Sequence, residues 1–241
     1  MTAATVEILP AGRIRLVETE LPRLSERHRA EMDRVWEEAV RANPALFDGP
    51  VAALTASARD AADGLVLSWA RASYRYRALR KVPGAPVLSS LFVSVLQPSS
   101  DGRLMVGRMA PSTSAPGRWQ LPGGTVEPPD GDGELDLTVL CAHAARELAE
   151  ETGSDTPADG LTPWLTTRGG RGDVGIMFTA PPRPARELHD RYAQLVRSET
   201  AQGVEPELDR VELIGSPSDL DGLEGPHVDY LRPVVRRYTG S

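Results

Sequence analysis

The sequence has little of what secreted, membrane-spanning or nucleic-acid-binding proteins need. A single cysteine, Cys141, among 241 residues excludes an intramolecular disulfide and is typical of a reducing cytoplasm, where we expect this protein. No stretch approaches the ~18 uninterrupted apolar residues of a membrane span, and residues 1–16 lack the basic start and apolar core of a secretion signal. The 27 Lys and Arg against 34 Asp and Glu give a net charge of −7, so no global positive field attracts nucleic acid or anionic lipid. We therefore expect neither as a partner, although a local basic patch stays open.

Length and composition predict one large globular domain, or one domain with a substantial extension. Apolar residues make up 40% and charged residues 25% of the chain, which argues against a disordered or fibrous protein. The cluster Pro83-Gly84-Ala85-Pro86 is typical of a boundary. We therefore predict an N-terminal extension at residues 1–84 and a second domain at residues 85–241.

The extension is predicted to contain one helix and several short strands. Ser25 is a suitable N-cap for a helix that runs to Arg41, and Asn43-Pro44 ends it because the residue before proline avoids the helical region. β-prone runs are predicted within residues 5–19 and at 51–55, 65–69 and 72–79.

The second domain mixes strands with helices. Strands at 91–96 and 104–106 are predicted to form a hairpin. Further strands are predicted at 161–166, 174–179 and 209–214, and helices at 136–152, 185–198 and 228–237. This mixture favours an α/β or α+β sandwich over a doubly wound parallel sheet, with the strand order left open.

Two segments carry residue types suited to catalysis: residues 121–127, LPGGTVE, and residues 146–153, RELAEETG. On a helix Glu147, Glu150 and Glu151 share one face. Like charges at this spacing repel each other, so the arrangement is destabilising unless a cation compensates it.

A solvated acidic face is the alternative interpretation of these glutamates. Against it, Glu151 falls about 60° from Leu148 on a wheel of ~100° per residue, beside the apolar stripe. A carboxylate at the rim of a core needs a partner. Clustered carboxylates suit Mg²⁺ or Mn²⁺, and Gly123-Gly124 lets the backbone approach a ligand, with the Gly123 carbonyl as a further donor. We therefore favour a divalent-metal site.

Together the two segments resemble the Nudix box, G-x5-E-x7-R-E-U-x-E-E-x-G-U, in which U is a bulky aliphatic residue. Residues 146–153 match its second half, with Ser154 in place of the last aliphatic residue, and Gly124 matches its opening glycine. Counting back from Arg146 puts Thr138 where the box has its first glutamate, so the loop carries about eight extra residues.

The nearest candidate for the displaced glutamate is Glu134. It lies four residues too early relative to Arg146 and four too far from Gly124. Whether Glu134 takes over that role stays open. Because its spacing is wrong on both sides, we predict that it is not essential.

The resemblance implies a Nudix fold, a mixed sheet sandwiched between helices, here preceded by an α/β extension. It also implies a diphosphate hydrolase that uses Mg²⁺ or Mn²⁺. The metal ligands carried over are Glu147, Glu150, Glu151 and the Gly123 carbonyl. One of these glutamates, or one from a later loop, would be the general base. The remaining motif residues, Gly124, Arg146 and Gly153, would be structural, with Arg146 paired to an acidic residue.

Weaker signals lie outside the box. Arg108 matches a position near the phosphates in many Nudix proteins, but an exposed strand-end arginine explains it equally well. Glu199, Glu205 and Glu207 are predicted in a loop where the family often supplies one more carboxylate, and each alone is interpreted as a solvated residue. His143 replaces a small residue and is expected to be a surface or satisfied histidine.

The substrate is predicted from resemblance alone. Residues 43–50, NPALFDGP, and Tyr74-Arg75-Tyr76-Arg77 resemble the extension in some UDP-sugar diphosphatases, although a helix stop with an aromatic anchor explains them equally well. We predict a small-molecule substrate, a nucleoside diphosphate linked to another group, such as a UDP-sugar or ADP-ribose. A Nudix-fold sensor without turnover and a prenyl diphosphate hydrolase stay open as alternatives. The sequence leaves the oligomeric state open; many Nudix enzymes of this size are homodimers, so a homodimer is one expectation from the resemblance.

Overall fold

A computed structural model describes residues 6–10, 12–59, 64–131 and 133–240. Two sheets and four α-helices make up its regular structure. The strands are β1 (Glu7–Pro10), β2 (Ile14–Glu18), β3 (Pro50–Arg59), β4 (Leu65–Ser73), β5 (Ser89–Leu96), β6 (Leu104–Met109), β7 (Trp119–Gln120), β8 (Thr162–Arg168), β9 (Val174–Thr179) and β10 (Leu208–Ile214). The helices are α1 (Glu26–Ala42), α2 (Leu137–Thr152), α3 (Ala185–Ala201) and α4 (Leu231–Thr239).

The larger sheet has seven strands in the order β1-β8-β9-β5-β3-β4-β2, and the smaller one has the order β10-β6-β7. β5 pairs with β9 and β2 with β4 in parallel, and the other pairs are antiparallel. This confirms the predicted mixed architecture. One core packs α2 against the large sheet, and a second packs α4 between the two sheets.

All four predicted helices are present, with ends within three residues of the predicted ones. Ser25 caps α1 as predicted, since its hydroxyl accepts a hydrogen bond from the His28 amide at 3.1 Å. Of the predicted stretch 5–19, residues 5 and 11 lie outside the described residues. Within the described ranges, no helix is long and apolar enough to cross a membrane.

The strand predicted at 72–79 is wrong. β4 ends at Ser73, and Tyr74–Lys81 forms a 3₁₀ helix. The turn is fixed by the Tyr74 amide, which donates to the Gly49 carbonyl at 2.9 Å. Leu79 and its neighbours then pack on α1, so helical rather than alternating spacing buries the apolar residues.

Strands from both sides of the predicted boundary at residues 84 and 85 share the large sheet. β3 pairs with β5, and β1 pairs with β8. A further link is the ion pair between Arg80 and Asp173, which ties the 3₁₀ segment to the turn between β8 and β9. The division at residue 84 stays a prediction, but the extension is built into the same sheet as the rest of the chain.

The predicted hairpin between 91–96 and 104–106 is only partly right. The turn is tight, with the Ser99 amide donating to the Arg103 carbonyl at 2.7 Å. Beyond it the strands enter different sheets. The edge of β5 facing away from β9 is taken by β3 and by residues 122–126, through bonds such as Val93 N–H to the Gly124 carbonyl at 3.0 Å. β6 therefore finds no free edge there, and the glycine pair is fixed beside β5.

Candidate active site

Helix α2 presents the candidate glutamates, and its two ends are well defined. The Asp136 side chain caps the first turn by accepting a hydrogen bond from the Val139 amide at 2.8 Å. Gly153 ends the helix with a φ of 70°, and a Cβ there would lie 2.7 Å from the Arg191 carbonyl oxygen. Both features require glycine, which agrees with a structural role for Gly153. Leu140, Ala144 and Leu148 form the adjoining apolar stripe and anchor the helix in the core.

Glu151 is the buried member of the set, with only 2% of its surface exposed. Its Oε2 accepts a hydrogen bond from the Gly123 amide at 2.8 Å, while Oε1 has no hydrogen-bond partner among the described residues. Burial raises the pKa of this carboxyl well above its usual range, and repulsion from Glu207 raises it further. The single hydrogen bond from Gly123 does not balance a negative charge that is buried in this position.

Gly123 brings the backbone to Glu151 in a conformation that only glycine adopts readily. Its φ is 148°, and a Cβ would lie 2.1 Å from the Val93 carbonyl oxygen. The close approach of residues 122–126 to β5 therefore requires glycine at this position.

Glu147 is mostly buried and packs directly on the second glycine. A Cβ at Gly124 would lie 2.4 Å from Glu147 Oε2, so a glycine is required to leave room for the carboxylate. The other oxygen, Oε1, lies 3.1 Å from His143 Nε2. The glycine of the first segment and the glutamate of the second are thus in contact, as the motif requires.

Glu150 lies at the mouth of the site, with 63% of its side chain exposed. Partial burial raises its pKa, and Glu147 adds to this, while Arg146 opposes it. The three predicted glutamates are therefore brought together, each with a different degree of exposure.

A fourth carboxylate, Glu207, joins them from the segment before β10. Although its side chain reaches solvent, partial desolvation raises its pKa, and repulsion from Glu147, Glu150 and Glu199 raises it further. Its main chain is held by the Ala110 amide, which donates to the Glu207 carbonyl at 2.8 Å. The sequence indicated only that one of three glutamates in this region could join the site.

Of those three, Glu199 does not lie in a loop as predicted. Helix α3 continues to Ala201, one turn beyond the predicted end. Glu205 is exposed, as expected for a solvated loop residue. The position of Glu207 depends on the pairing of β10 with β6, which the sequence does not reveal.

Arg146 pairs with acidic residues of both halves of the motif. Its guanidinium lies 3.6 Å from Glu127, 3.9 Å from Glu150 and 4.0 Å from Glu147, and its Nη2 lies 2.8 Å from His143 Nδ1. Glu127 follows the glycine pair by three residues, so the contact joins the two halves of the motif. Glu134 is exposed, and the inserted loop around it is held by Arg71, whose guanidinium donates to the Pro129 carbonyl at 2.6 Å.

Arg108 makes a bidentate ion pair with Asp209, at 2.8 and 3.1 Å. Its guanidinium carbon lies 6.0 Å from the ring centroid of Trp119. Its role toward phosphate stays a prediction, since this ion pair must open or tilt before Arg108 meets a substrate.

The donor set fits a divalent cation in chemistry. In the part of the chain that the structure describes, no three His, Cys, Asp or Glu side chains stand in a coordinating arrangement. However, Glu147, Glu150, Glu151 and Glu207 are close enough to repel one another, and one Glu151 oxygen is unpartnered. Hard carboxylate oxygens with uncompensated charge are the ligands that Mg²⁺ and Mn²⁺ prefer.

Among solved structures the chain is similar to a MutT protein from Methanosarcina mazei Go1, with 19% identity over 62% of this chain and 92% of that chain and a TM-score of 0.39. It is also similar to the NUDIX domain of Shewanella oneidensis NrtR complexed with ADP ribose, with 16% identity over 62% and 85% of the two chains and a TM-score of 0.38. A third is a bifunctional NMN adenylyltransferase/ADP ribose pyrophosphatase from Francisella tularensis complexed with AMP and a Mn ion, with 16% identity over 67% and 44% and a TM-score of 0.40.

No curated protein sequence matches the chain. The family model described as NUDIX domain matches residues 91–238, which include both halves of the motif and the strands and helices around them. The chain therefore belongs to the Nudix family.

Proposed function

We propose that this protein is a metal-dependent hydrolase that cleaves the diphosphate bond of a nucleoside diphosphate linked to another group. The observation that carries the proposal is the Glu151 carboxylate, which is 2% exposed and has one oxygen without a partner among the described residues. It faces three further glutamates beside a glycine pair. Buried carboxylates that lie this close together destabilise a fold unless a cation balances their charge. The arrangement therefore supports a cation site.

In this proposal Glu147, Glu150, Glu151 and the Gly123 carbonyl hold Mg²⁺ or Mn²⁺, with Glu207 as an additional ligand or base. The bound ions would neutralise the diphosphate and lower the pKa of a coordinated water. Glu150 and Glu207 combine access to solvent with a raised pKa. They are therefore the carboxylates best suited to take a proton from the attacking water.

The substrate is proposed to be a nucleotide sugar, in which the group attached to the nucleoside diphosphate is a sugar. A cavity of about 640 Å³ lies between α1, the 3₁₀ segment and two loops of the second domain, a size usual for small-molecule sites. Its lining includes Trp36, Tyr74, Arg77, Lys81 and Arg171, and no acidic residue among those that the structure describes. Aromatic faces and cations suit a base and a phosphate, respectively.

The loop that contributes Ser114 to this cavity is tied to the end of α1. Asn43, at the end of α1, donates from its side chain to the Thr113 carbonyl at 2.9 Å. The loop that contains Thr113 leads directly into β7 and then Gly123. The resemblance of residues 43–50 to the extension of UDP-sugar diphosphatases also supports a nucleotide-sugar substrate.

The test is turnover of a substrate panel. Purified protein with Mg²⁺ or Mn²⁺ is incubated with UDP-sugars, ADP-ribose and prenyl diphosphates, and the products are followed by ³¹P NMR. We expect two phosphorylated products from a nucleotide sugar, and loss of turnover in Glu147→Gln and Glu151→Gln. Glu205→Gln, an exposed glutamate outside the site, is the matched control and should keep the wild-type rate.

Two results would redirect the proposal. Tight nucleotide binding without product under either metal would identify a sensor, the alternative that the displaced first glutamate favours. Turnover of prenyl diphosphates alone would change the substrate class.

The oligomeric state, for which a homodimer is one expectation, is tested separately by light scattering.

A further inference from the structure

His143 lies one helical turn before Glu147 on α2 and is buried against it. Its side chain is 6% exposed, and its Nε2 lies 3.1 Å from Glu147 Oε1. Its other ring nitrogen, Nδ1, lies 2.8 Å from Arg146 Nη2. The expectation from sequence was a surface or satisfied histidine, whereas the structure places the ring between two residues of the motif.

The contact with Arg146 determines which ring nitrogen carries the proton. A guanidinium has only donors and stays protonated, so Nδ1 of His143 must accept the hydrogen bond. The hydrogen bond at one nitrogen sets the protonation of the other, which leaves the neutral ring with its proton on Nε2. The N–H therefore lies on the side of Glu147.

The Nε2 nitrogen of His143 is buried and lacks a hydrogen-bond partner among the described residues. Although Glu147 Oε1 is within reach, no well-aligned hydrogen bond to Nε2 is formed within the described residues. Hydrogen bonds in catalytic sites are often poorly aligned without substrate and tighten only in the complex. Glu147 Oε1, at 3.1 Å from this buried nitrogen, is an acceptor that the N–H can reach.

Glu147 is confined on its other side as well. Its Oε2 packs on Gly124 so closely that a Cβ would lie 2.4 Å away. The imidazole and the glycine therefore bracket the carboxylate, and His143 at 3.1 Å lies nearer to Oε1 than Arg146 does at 4.0 Å.

We propose that His143 is a positioning residue that holds the Glu147 carboxylate, through Nε2–H, in the orientation that binds the divalent cation. The inference rests on the proposed function, since it assigns a role toward the same metal. It goes beyond the family motif, which specifies no histidine at this position. Hydrogen bonds to a metal-binding side chain typically contribute about 10–100-fold in metal affinity.

Two matched substitutions separate positioning from packing. Gln can place its amide nitrogen near the position of Nε2, so His143→Gln keeps a donor for Glu147. Asn reaches only the position of Nδ1, so His143→Asn keeps an acceptor for Arg146 and loses the donor to Glu147. His143→Ala removes both contacts and restores the small residue that is usual at this position.

The main readout is Mn²⁺ binding followed by electron paramagnetic resonance, with circular dichroism to verify folding. We expect Mn²⁺ affinity to fall about 10–100-fold in His143→Asn and His143→Ala, and to stay within about threefold of the wild type in His143→Gln. Wild-type affinity in His143→Asn, or equal losses in the Gln and Asn variants, would overturn the inference while leaving the proposed function intact. A wild-type protein that binds no Mn²⁺ and cleaves no diphosphate would overturn both.

A second readout needs no metal. In protein labelled with ¹⁵N-histidine, the His143 nitrogens should report the neutral Nε2–H form. Its Nε2 signal should shift in Glu147→Gln and stay unchanged in Glu205→Gln, a change outside the site. A proton found on Nδ1, or a signal insensitive to Glu147→Gln, would show that the ring does not donate a hydrogen bond to the Glu147 carboxylate.

Discussion

Replacing Glu151 by glutamine should stabilise the metal-free protein while it abolishes turnover. The wild-type carboxylate is 2% exposed, accepts one hydrogen bond from the Gly123 amide at 2.8 Å, and keeps a second oxygen without a partner among the described residues. Glutamine preserves the acceptor for Gly123 and removes the charge. The variant therefore loses the repulsion from Glu207, Glu147 and Glu150.

The expected gain follows from the removed charge, because the glutamine amide nitrogen takes the place of Oε1 and finds no partner there either. A buried polar atom left without a partner destabilises a fold by about 1–3 kcal/mol, and a charged one by more, so we take the difference between the two to be about 1–3 kcal/mol. In a chain of this size each kcal/mol shifts the melting temperature by about 2–4 °C, so the gain is roughly 2–12 °C. We expect this gain at pH 8 in the presence of a chelator.

The gain should depend on pH. The pKa of Glu151 in the folded protein lies well above its ordinary value, so the folded protein binds this proton more tightly than the unfolded chain does. The contribution of the protonated carboxyl is fully present below about pH 4, near the unfolded value, and is lost as the pH rises through the raised pKa. Wild type and Glu151→Gln should therefore differ at pH 8 and converge toward pH 4.

Thermal unfolding followed by circular dichroism provides the measurement, at several pH values in EDTA. Glu150→Gln is the matched control, because Glu150 is 63% exposed and its removal should change stability much less. A Glu151→Gln protein that melts below the wild type at pH 8, or a difference that does not change with pH, would refute the reasoning.

Three further predictions concern the same site. Gly124→Ala should fold but lose about 100-fold in rate, because its Cβ would displace the Glu147 carboxylate. A misplacement of about 1 Å has an effect of this size on catalysis, and an unchanged kcat would contradict the prediction. Glu134→Gln should stay within about twofold of the wild-type rate, as is usual for an exposed residue, and a collapse of the rate in folded protein would show that Glu134 is essential. Mg²⁺ at 100 times its Kd at pH 8 should stabilise the protein by about 2.7 kcal/mol at that pH. The same Mg²⁺ concentration should stabilise it less at pH 5, because protons compete for the carboxylates. Equal melting shifts at both pH values would count against a carboxylate site.

Local sequence signals predicted the helices and the motif well. Helix α2 begins one residue after its Asp136 cap and ends at Gly153, because capping side chains and glycine act within a single turn. The shared face of the three glutamates follows from helical periodicity alone. The partial burial of that face was also predictable, since Glu151 borders the apolar stripe that includes Leu148.

What the sequence could not predict depends on contacts between distant segments. Glu207 reaches the site only because β10 pairs with β6, and strand order is not encoded in local patterns. The strand predicted at 72–79 became a 3₁₀ helix because α1 provides a surface for Leu79. The separation of β5 from β6 depends on residues 122–126, which take the edge that a hairpin would have used.

The inserted loop shows how the motif can tolerate a change in spacing. The two halves are joined directly by the contacts of Gly124 with Glu147 and of Glu127 with Arg146. None of these four residues lies in the insertion, which is held instead by Arg71 of β4. The loop can therefore grow by about eight residues without moving the carboxylates, since its length has little effect on groups that are positioned by other segments. Arg71 lies outside the matched residues 91–238, in the predicted extension, and its contact holds the loop that departs from the family pattern.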